Sequence, residues 1–206
     1  MGHVDPKQHW EDVYARKAEN EVSWFQEEPA ASLTFIRHCG ASKDMPIIDI
    51  GGGESRLVDR LLDGGHSDLT VLDLSENALA HTRKRLGERA AAVHWITADI
   101  TSWMPSRQYN LWHDRAVLHF LTDPRQRTGY RRALLAAVPA GGCAVISTFA
   151  LDGPERCSGL PVVRYSAESL STELGPELSL VETTVAEHRT PGGSIQRFQF
   201  SRFTRL

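Results

Sequence analysis

Ile47-Ile48-Asp49-Ile50-Gly51-Gly52-Gly53-Glu54-Ser55 carries an apolar strand straight into three glycines, and the residues beyond fall on a helical period. Glycine reaches positive φ and lets a ligand approach the backbone, while the following helix aims unpaired N–H groups at the same point. Strand, glycine turn and helix in this order read as a nucleotide-cofactor turn. Two acids downstream narrow the nucleotide. Asp73 lies 20 residues beyond Gly53, at the end of Leu69-Thr70-Val71-Leu72, where a carboxylate accepts hydrogen bonds from ribose hydroxyls. That placement suits NAD equally, but the dinucleotide fingerprint needs a glycine where this chain has Arg56. A third strand, Val93-His94-Trp95-Ile96-Thr97, ends in Ala98-Asp99-Ile100, and an acid there accepts from an adenine amino group.

Outward from this turn the pattern alternates strand and helix, as a doubly wound sheet demands. Leu57, Val58, Leu61 and Leu62 share a helical face closed by Gly64-Gly65, and Ala78, Leu79, Thr82 and Leu86 repeat it. A fourth strand is predicted over Tyr109 to His113, with Asp114 in the turn, then a helix from Thr122 to Val138 with Pro124 in its first turn. The fifth strand is Cys143 to Thr148. A Pro/Gly-interrupted loop from Pro154 to Pro161 follows, then a helix over Ala167 to Leu174. Two long strands, Ser179 to His188 and Ile195 to Phe203, flank the hairpin turn Thr190-Pro191-Gly192-Gly193. Ahead of residue 45, Trp10, Val13 and Tyr14 share one helical stripe, Pro29 opens a second helix, and Val22-Ser23-Trp24-Phe25-Gln26 is unusually aromatic.

At 206 residues the chain is one domain, large enough to bury its core without disulfides. A formal net charge of −3 argues against binding to a phosphate backbone, and no run is long and apolar enough to span a membrane. Cys39, Cys143 and Cys157 form no C-x-x-C pair; an odd count without a secretory h-region reads as a reducing cytoplasm. Nine histidines without H-E-x-x-H or compact Cys/His spacing predict no metal site.

The glycine turn with Asp49, the acid after the second strand and Asp99 after the third together resemble the class I S-adenosylmethionine-dependent methyltransferases, from about Trp10 onward. The resemblance implies a single-domain, doubly wound, Rossmann-like α/β sheet of seven strands in the order 3-2-1-4-5-7-6, strand 7 antiparallel. Residues 1–44 would then be an N-terminal helical flap of the same domain, and 45–206 the methyltransferase domain. It implies S-adenosyl-L-methionine as cofactor, with Asp49, Gly51, Gly52 and Gly53 along its methionine, Asp73 and Leu74 at the ribose, and Asp99 and Ile100 at the adenine. The family's last glycine is replaced by Ser55, which reads as a helix cap. Gly51-x-Gly53-x-Ser55-x-Leu57 is similar to a subgroup that includes protein lysine methyltransferases; there the fourth strand commonly ends Asp-Lys-Gly, where this chain has Asp114-Arg115-Ala116.

Methyl transfer from a sulfonium is an in-line displacement on an activated carbon, so the protein must align donor and nucleophile and, for some acceptors, remove a proton. In this fold the segment from His113 to Phe120 faces the transferred methyl. Asp114 is the first candidate, as general base or as the group that positions the methionine amine. His119 is the second, although its apolar neighbours also fit a hydrogen-bonded packing histidine; His113 and His188 rank lower. Tyr14, Trp24 and Phe25 read either as a cover over cofactor and acceptor or as a packed apolar flap. Arg115 beside Asp114, and Arg156 and Arg164 flanking the loop after strand five, are candidates for a carboxylate on the acceptor or cofactor. Cys157 sits in that loop, as a lid thiol without a role or as a soft ligand. The expected acceptor is a small molecule in a closed pocket. A protein lysine, or a cofactor-binding regulatory subunit without catalysis, are the alternatives.

Overall fold

Short runs buried on both faces build the centre of the sheet, and the computed structural model describes residues 5–206. In chain order the elements are α1 (Pro6–Arg16), α2 (Ala30–His38), β1 (Ile47–Ile50), α3 (Leu57–Asp63), β2 (Leu69–Asp73), α4 (Glu76–Leu86) and β3 (Val93–Thr97). There follow β4 (Leu111–Arg115), α5 (Pro124–Ala137), β5 (Cys143–Phe149), the short ribbon β6 (Arg156–Cys157) and β7 (Leu160–Pro161), α6 (Ala167–Leu174), β8 (Leu178–Arg189) and β9 (Ile195–Arg205). The seven-stranded sheet runs β3-β2-β1-β4-β5-β9-β8, which is 3-2-1-4-5-7-6 once the separate ribbon is set aside. β1 to β5 pair in parallel, and β9 runs antiparallel to both β5 and β8.

Successive strand residues face opposite sides. Ile47, Leu69 and Leu111 pack with Ile36, Leu57, Leu61 and Leu79 of α2, α3 and α4. Ile48, Ile50, Trp112 and Ile146 pack with Tyr130, Leu134, Leu170 and Leu174 of α5 and α6. Local chemistry sets the helix starts: Ser75 accepts from Ala78 N at 3.1 Å, and Asp123 caps α5 with Pro124 in its first turn. Ser55 accepts from Leu57 N at 3.1 Å, at the first residue of α3.

Two sequence expectations are corrected here. β4 begins and ends two residues later than predicted, so Asp114 lies inside the strand, opposite Ile50 and Ile146, and not in the turn beyond it. The cysteines are not all reduced thiols: Cys39, the residue after α2, and Cys143, at the start of β5, form a disulfide across 104 residues, leaving Cys157 free and buried. Chain folding brings these two together, and sequence spacing carries no trace of it.

The N-terminal segment is fastened to the sheet by polar contacts. Glu11 on α1 accepts from Ser75 Oγ, Glu76 N and Asn77 N at 2.9, 2.9 and 3.2 Å, covering the exposed donors at the start of α4. Glu19 is gripped by Arg56 and Arg85, and His188 Nε2 meets Ser23 O at 2.7 Å. His188 is therefore buried and structural. No helix among the described residues is long and apolar enough to cross a membrane.

Candidate functional site

A cavity of about 460 Å³ lies over the carboxyl ends of β1 to β4. Its floor is the glycine turn, where Gly51 has φ 63° and an added Cβ would come 2.1 Å from Val117 Cγ2. No side chain fits there, so the backbone itself lines the cavity. Gly53 is similarly confined: its Cβ would approach Asp73 Oδ2 at 2.9 Å and the Tyr14 hydroxyl at 3.1 Å. Gly52 packs away from the cavity, over Val71 and the Asp49 carboxylate.

At one end stand the two strand-end acids. Asp73 is buried, with Oδ1 accepting from Ser75 N at 2.8 Å, and burial pushes its carboxyl up to about 7. Leu74, Asp99 and Ile100 line the same end, and Asp99 Oδ1 accepts from Thr101 N and Oγ1 at 2.8 and 2.7 Å. A side-chain-free floor and a desolvated carboxylate that lacks a cation fit a nucleoside whose hydroxyls donate to it.

The roof comes from remote parts of the chain. Trp10 and Tyr14 of α1, Trp24, and Phe120 in the turn after β4 all line the cavity. Trp10 meets Trp24 and Phe120 edge to face, at centroid distances of 5.7 and 5.1 Å. Burial, with Asp73 and Glu54 nearby, raises the Tyr14 phenol well above its ordinary range. The ribbon after β5 adds Cys157, Leu160 and Pro161, and β9 adds Gln196 and Phe198. Burial pushes the Cys157 thiol up to about 11, so it is no nucleophile near neutrality.

Several residues singled out by sequence lie elsewhere. Asp114 is fully buried and turned toward α5, accepting from Val117 N at 2.8 Å, Leu118 N at 3.1 Å and Tyr130 Oη at 2.6 Å. Burial raises it to about 6, but its oxygens are spoken for and it does not line the cavity. His119 is wedged between Phe120 and Phe149, with Nδ1 accepting from Phe149 N at 3.3 Å, and burial pulls its imidazole down to about 3. Neither side chain is placed to take a proton from an acceptor. Phe25 faces a separate outer groove beside His188 and Pro191, while Trp24 turns inward. Arg156 bonds Gly159 O, and Arg164 holds Glu155 and Gly153 O, so both tie the segment around the β6–β7 ribbon to itself, and neither lines the cavity.

Arg115 does line the cavity. Strand alternation sends it to the side opposite Asp114, and its Nη2 donates to Trp24 O at 2.5 Å. Asp49 lies beneath the glycine turn: its Oδ1 meets His113 Nδ1 at 2.7 Å, and His113 Nε2 meets Ser32 Oγ at 2.9 Å. This buried Ser-His-Asp chain anchors α2 to β1 and β4, and none of its members reaches the cavity. Sequence reading missed that chain, because its residues are 64 and 81 positions apart. It also missed Gln196 and Phe198, because the strand pattern of β9 was visible but not its inward face.

Residues 47–141 match the model of a family described as methyltransferase domain. Among solved structures the chain is similar to the N-methyltransferase NodS from Bradyrhizobium japonicum in complex with S-adenosyl-L-homocysteine: 18% identity, TM-score 0.71, covering 98% of this chain and 99% of that one. It is also similar to the 1,6-didemethyltoxoflavin-N1-methyltransferase of Burkholderia thailandensis, crystallised with 1,6-didemethyltoxoflavin and S-adenosylhomocysteine: 20% identity, TM-score 0.68, covering 97% and 84%. At these identities the likeness speaks for the fold. The eEF1A lysine and N-terminal methyltransferase of Bos taurus is 23% identical over 135 residues, 62% of this chain but only 18% of that protein's length. The glycine floor, the strand-end acids and this sheet order give the chain the fold of these solved methyltransferases, and residues 47–141 within it match a methyltransferase domain.

Proposed function

We propose that the chain transfers methyl from S-adenosylmethionine to a small-molecule acceptor enclosed in the cavity. The observation that carries this reading is the enclosure itself: α1, Trp24, the β6–β7 ribbon and β9 all converge on one cavity of ligand size. Gly51, Asp73, Leu74, Asp99 and Ile100 would hold the cofactor, with Asp49, Gly52 and Gly53 shaping the turn from behind. Bound S-adenosylmethionine supplies a sulfonium-activated methyl group. The chain's own residues position and dry the site: Trp10, Tyr14, Trp24 and Phe120 line it with aromatic rings and exclude water. With Asp114 and His119 directed elsewhere, the reading assigns the rate to alignment. Residues 1–44 serve as a flap over the body formed by residues 45–206.

A second reading, methylation of a protein lysine, is favoured by the similarity to the Bos taurus enzyme. Against it stands Arg115, which places a cation where a lysine side chain would have to enter. Incubating the chain with methyl-labelled S-adenosylmethionine and a cell extract separates the readings. Label is expected in the low-molecular-weight fraction; label in protein replaces the first reading with the second. Tight cofactor binding with no transfer to either fraction would favour a non-catalytic subunit.

A further inference from the structure

Resting on the small-molecule reading, we propose that Arg115 and Gln196 form the acceptor's anchor and that the acceptor class is a carboxylate-bearing small molecule. Arg115 closes β4 with its guanidinium locked by the Trp24 carbonyl and by the Phe198 ring, 5.7 Å from Cζ. Its Nη1 is buried without a hydrogen-bond partner. The carboxylate that acts on it through space is Asp49, already bonded to His113. A buried guanidinium nitrogen left unpaired is costly, and the planar fork matches a carboxylate. Burial holds the group down to about 10, the direction expected for a cation that lacks its counter-ion.

Position assigns that carboxylate to the acceptor. The acids suited to adenosine close β2 and β3, Gly51 follows β1, and Arg115 lies one strand further across the sheet, on β4. Gln196 and Phe198 share one face of β9 and line the same cavity, with the Phe198 ring against Arg115. Gln196 Oε1 is also buried without a partner. The two ends of an amide are interchangeable by rotation, so Gln196 turns its NH2 inward to donate to the same carboxylate as Arg115.

Calorimetry on the full chain saturated with S-adenosylhomocysteine tests the anchor, with benzoate against benzamide and phenylacetate against phenylacetamide as probes. Each acid is expected to bind at least about ten-fold more tightly than its amide, a preference that Arg115→Gln abolishes and Arg115→Lys partly keeps. Equal affinities, binding of neither probe, or a preference that survives Arg115→Gln overturns the proposal. The cofactor's own carboxylate is the other source, read by titrating S-adenosylhomocysteine and 5′-methylthioadenosine, which lacks the amino-acid end. Unchanged affinity of the Arg115→Gln chain for both supports the acceptor assignment. A loss of about ten-fold or more for S-adenosylhomocysteine alone overturns it. If Arg115→Gln fails to fold, Arg115→Lys and Gln196→Leu carry the test, each expected to weaken the acid and spare the amide; an unaltered acid overturns the anchor. Label delivered to protein would sink the small-molecule reading itself, whereas failure of the acid preference sinks the anchor alone.

Discussion

Asp73 was legible because an acid closing the second strand, 20 residues beyond the glycine turn, has one geometry open to it. The structure adds that burial holds its carboxyl at about 7. Hydroxyl donors favour the ionised form, so a ligand they belong to must displace the proton at lower pH. Affinity for S-adenosylhomocysteine is therefore expected to fall as pH drops from about 8 to about 5, approaching ten-fold per unit below that pKa, and Asp73→Asn should flatten the profile and weaken binding about 10- to 150-fold. Calorimetry across pH decides; an unchanged slope in the variant removes Asp73 from the site. Asp114 was misread, because a two-residue shift in β4 carries it from the turn into the strand and alternation turns it away from the cavity. Its three donors make it the clasp of the turn that supports Gly51. Asp114→Asn should lower stability by about 1–3 kcal/mol in thermal melts, since an amide cannot accept all three bonds. An unaltered melting temperature with lost turnover would restore a chemical role.

Element by element, period and punctuation sufficed where packing agrees with them: β3 and α6 run over the residues predicted, and α5 lies within its predicted span. They failed where an interior contact sets the shape. The stretch after β5 was read as a Pro/Gly-interrupted loop, yet it carries the β6–β7 ribbon, and two residues beyond β7 Val163 N donates to His119 O at 2.7 Å. Gly129 in the middle of α5 is another such contact. A Cβ there would sit 2.0 Å from Thr101 O, in the loop that presents Asp99. Helix propensity alone would have Gly129→Ala stabilise by about 1 kcal/mol. The contact reverses the sign: overpacking is expected to cost about 1–3 kcal/mol and to weaken S-adenosylhomocysteine several-fold by displacing Asp99. Denaturant unfolding measures this, and a variant as stable as the parent would show that α5 can move aside.

For the whole molecule, the order of strands came from the resemblance that the glycine turn and its acids carry, and the sheet has that order, whereas pairings between distant residues were not legible. The Cys39–Cys143 bridge is the clearest case, since it ties α2 to β5 and closes a long loop. Reduction is expected to cost about 2–5 kcal/mol of stability. In denaturant without reductant, thiol titration should find one reactive group, that of Cys157, and after reduction three. Three groups before reduction would remove the bridge. The placement of β9 has a different consequence. It is the final strand of the sheet in chain order, yet it is wedged between β5 and β8, and the cavity wall draws on residues from Pro6 to Phe198. A nascent polypeptide still held by the ribosome short of those residues exposes β5 as a raw edge and lacks one wall of its ligand chamber, so cofactor capture during translation must wait until the hairpin has emerged and threaded home.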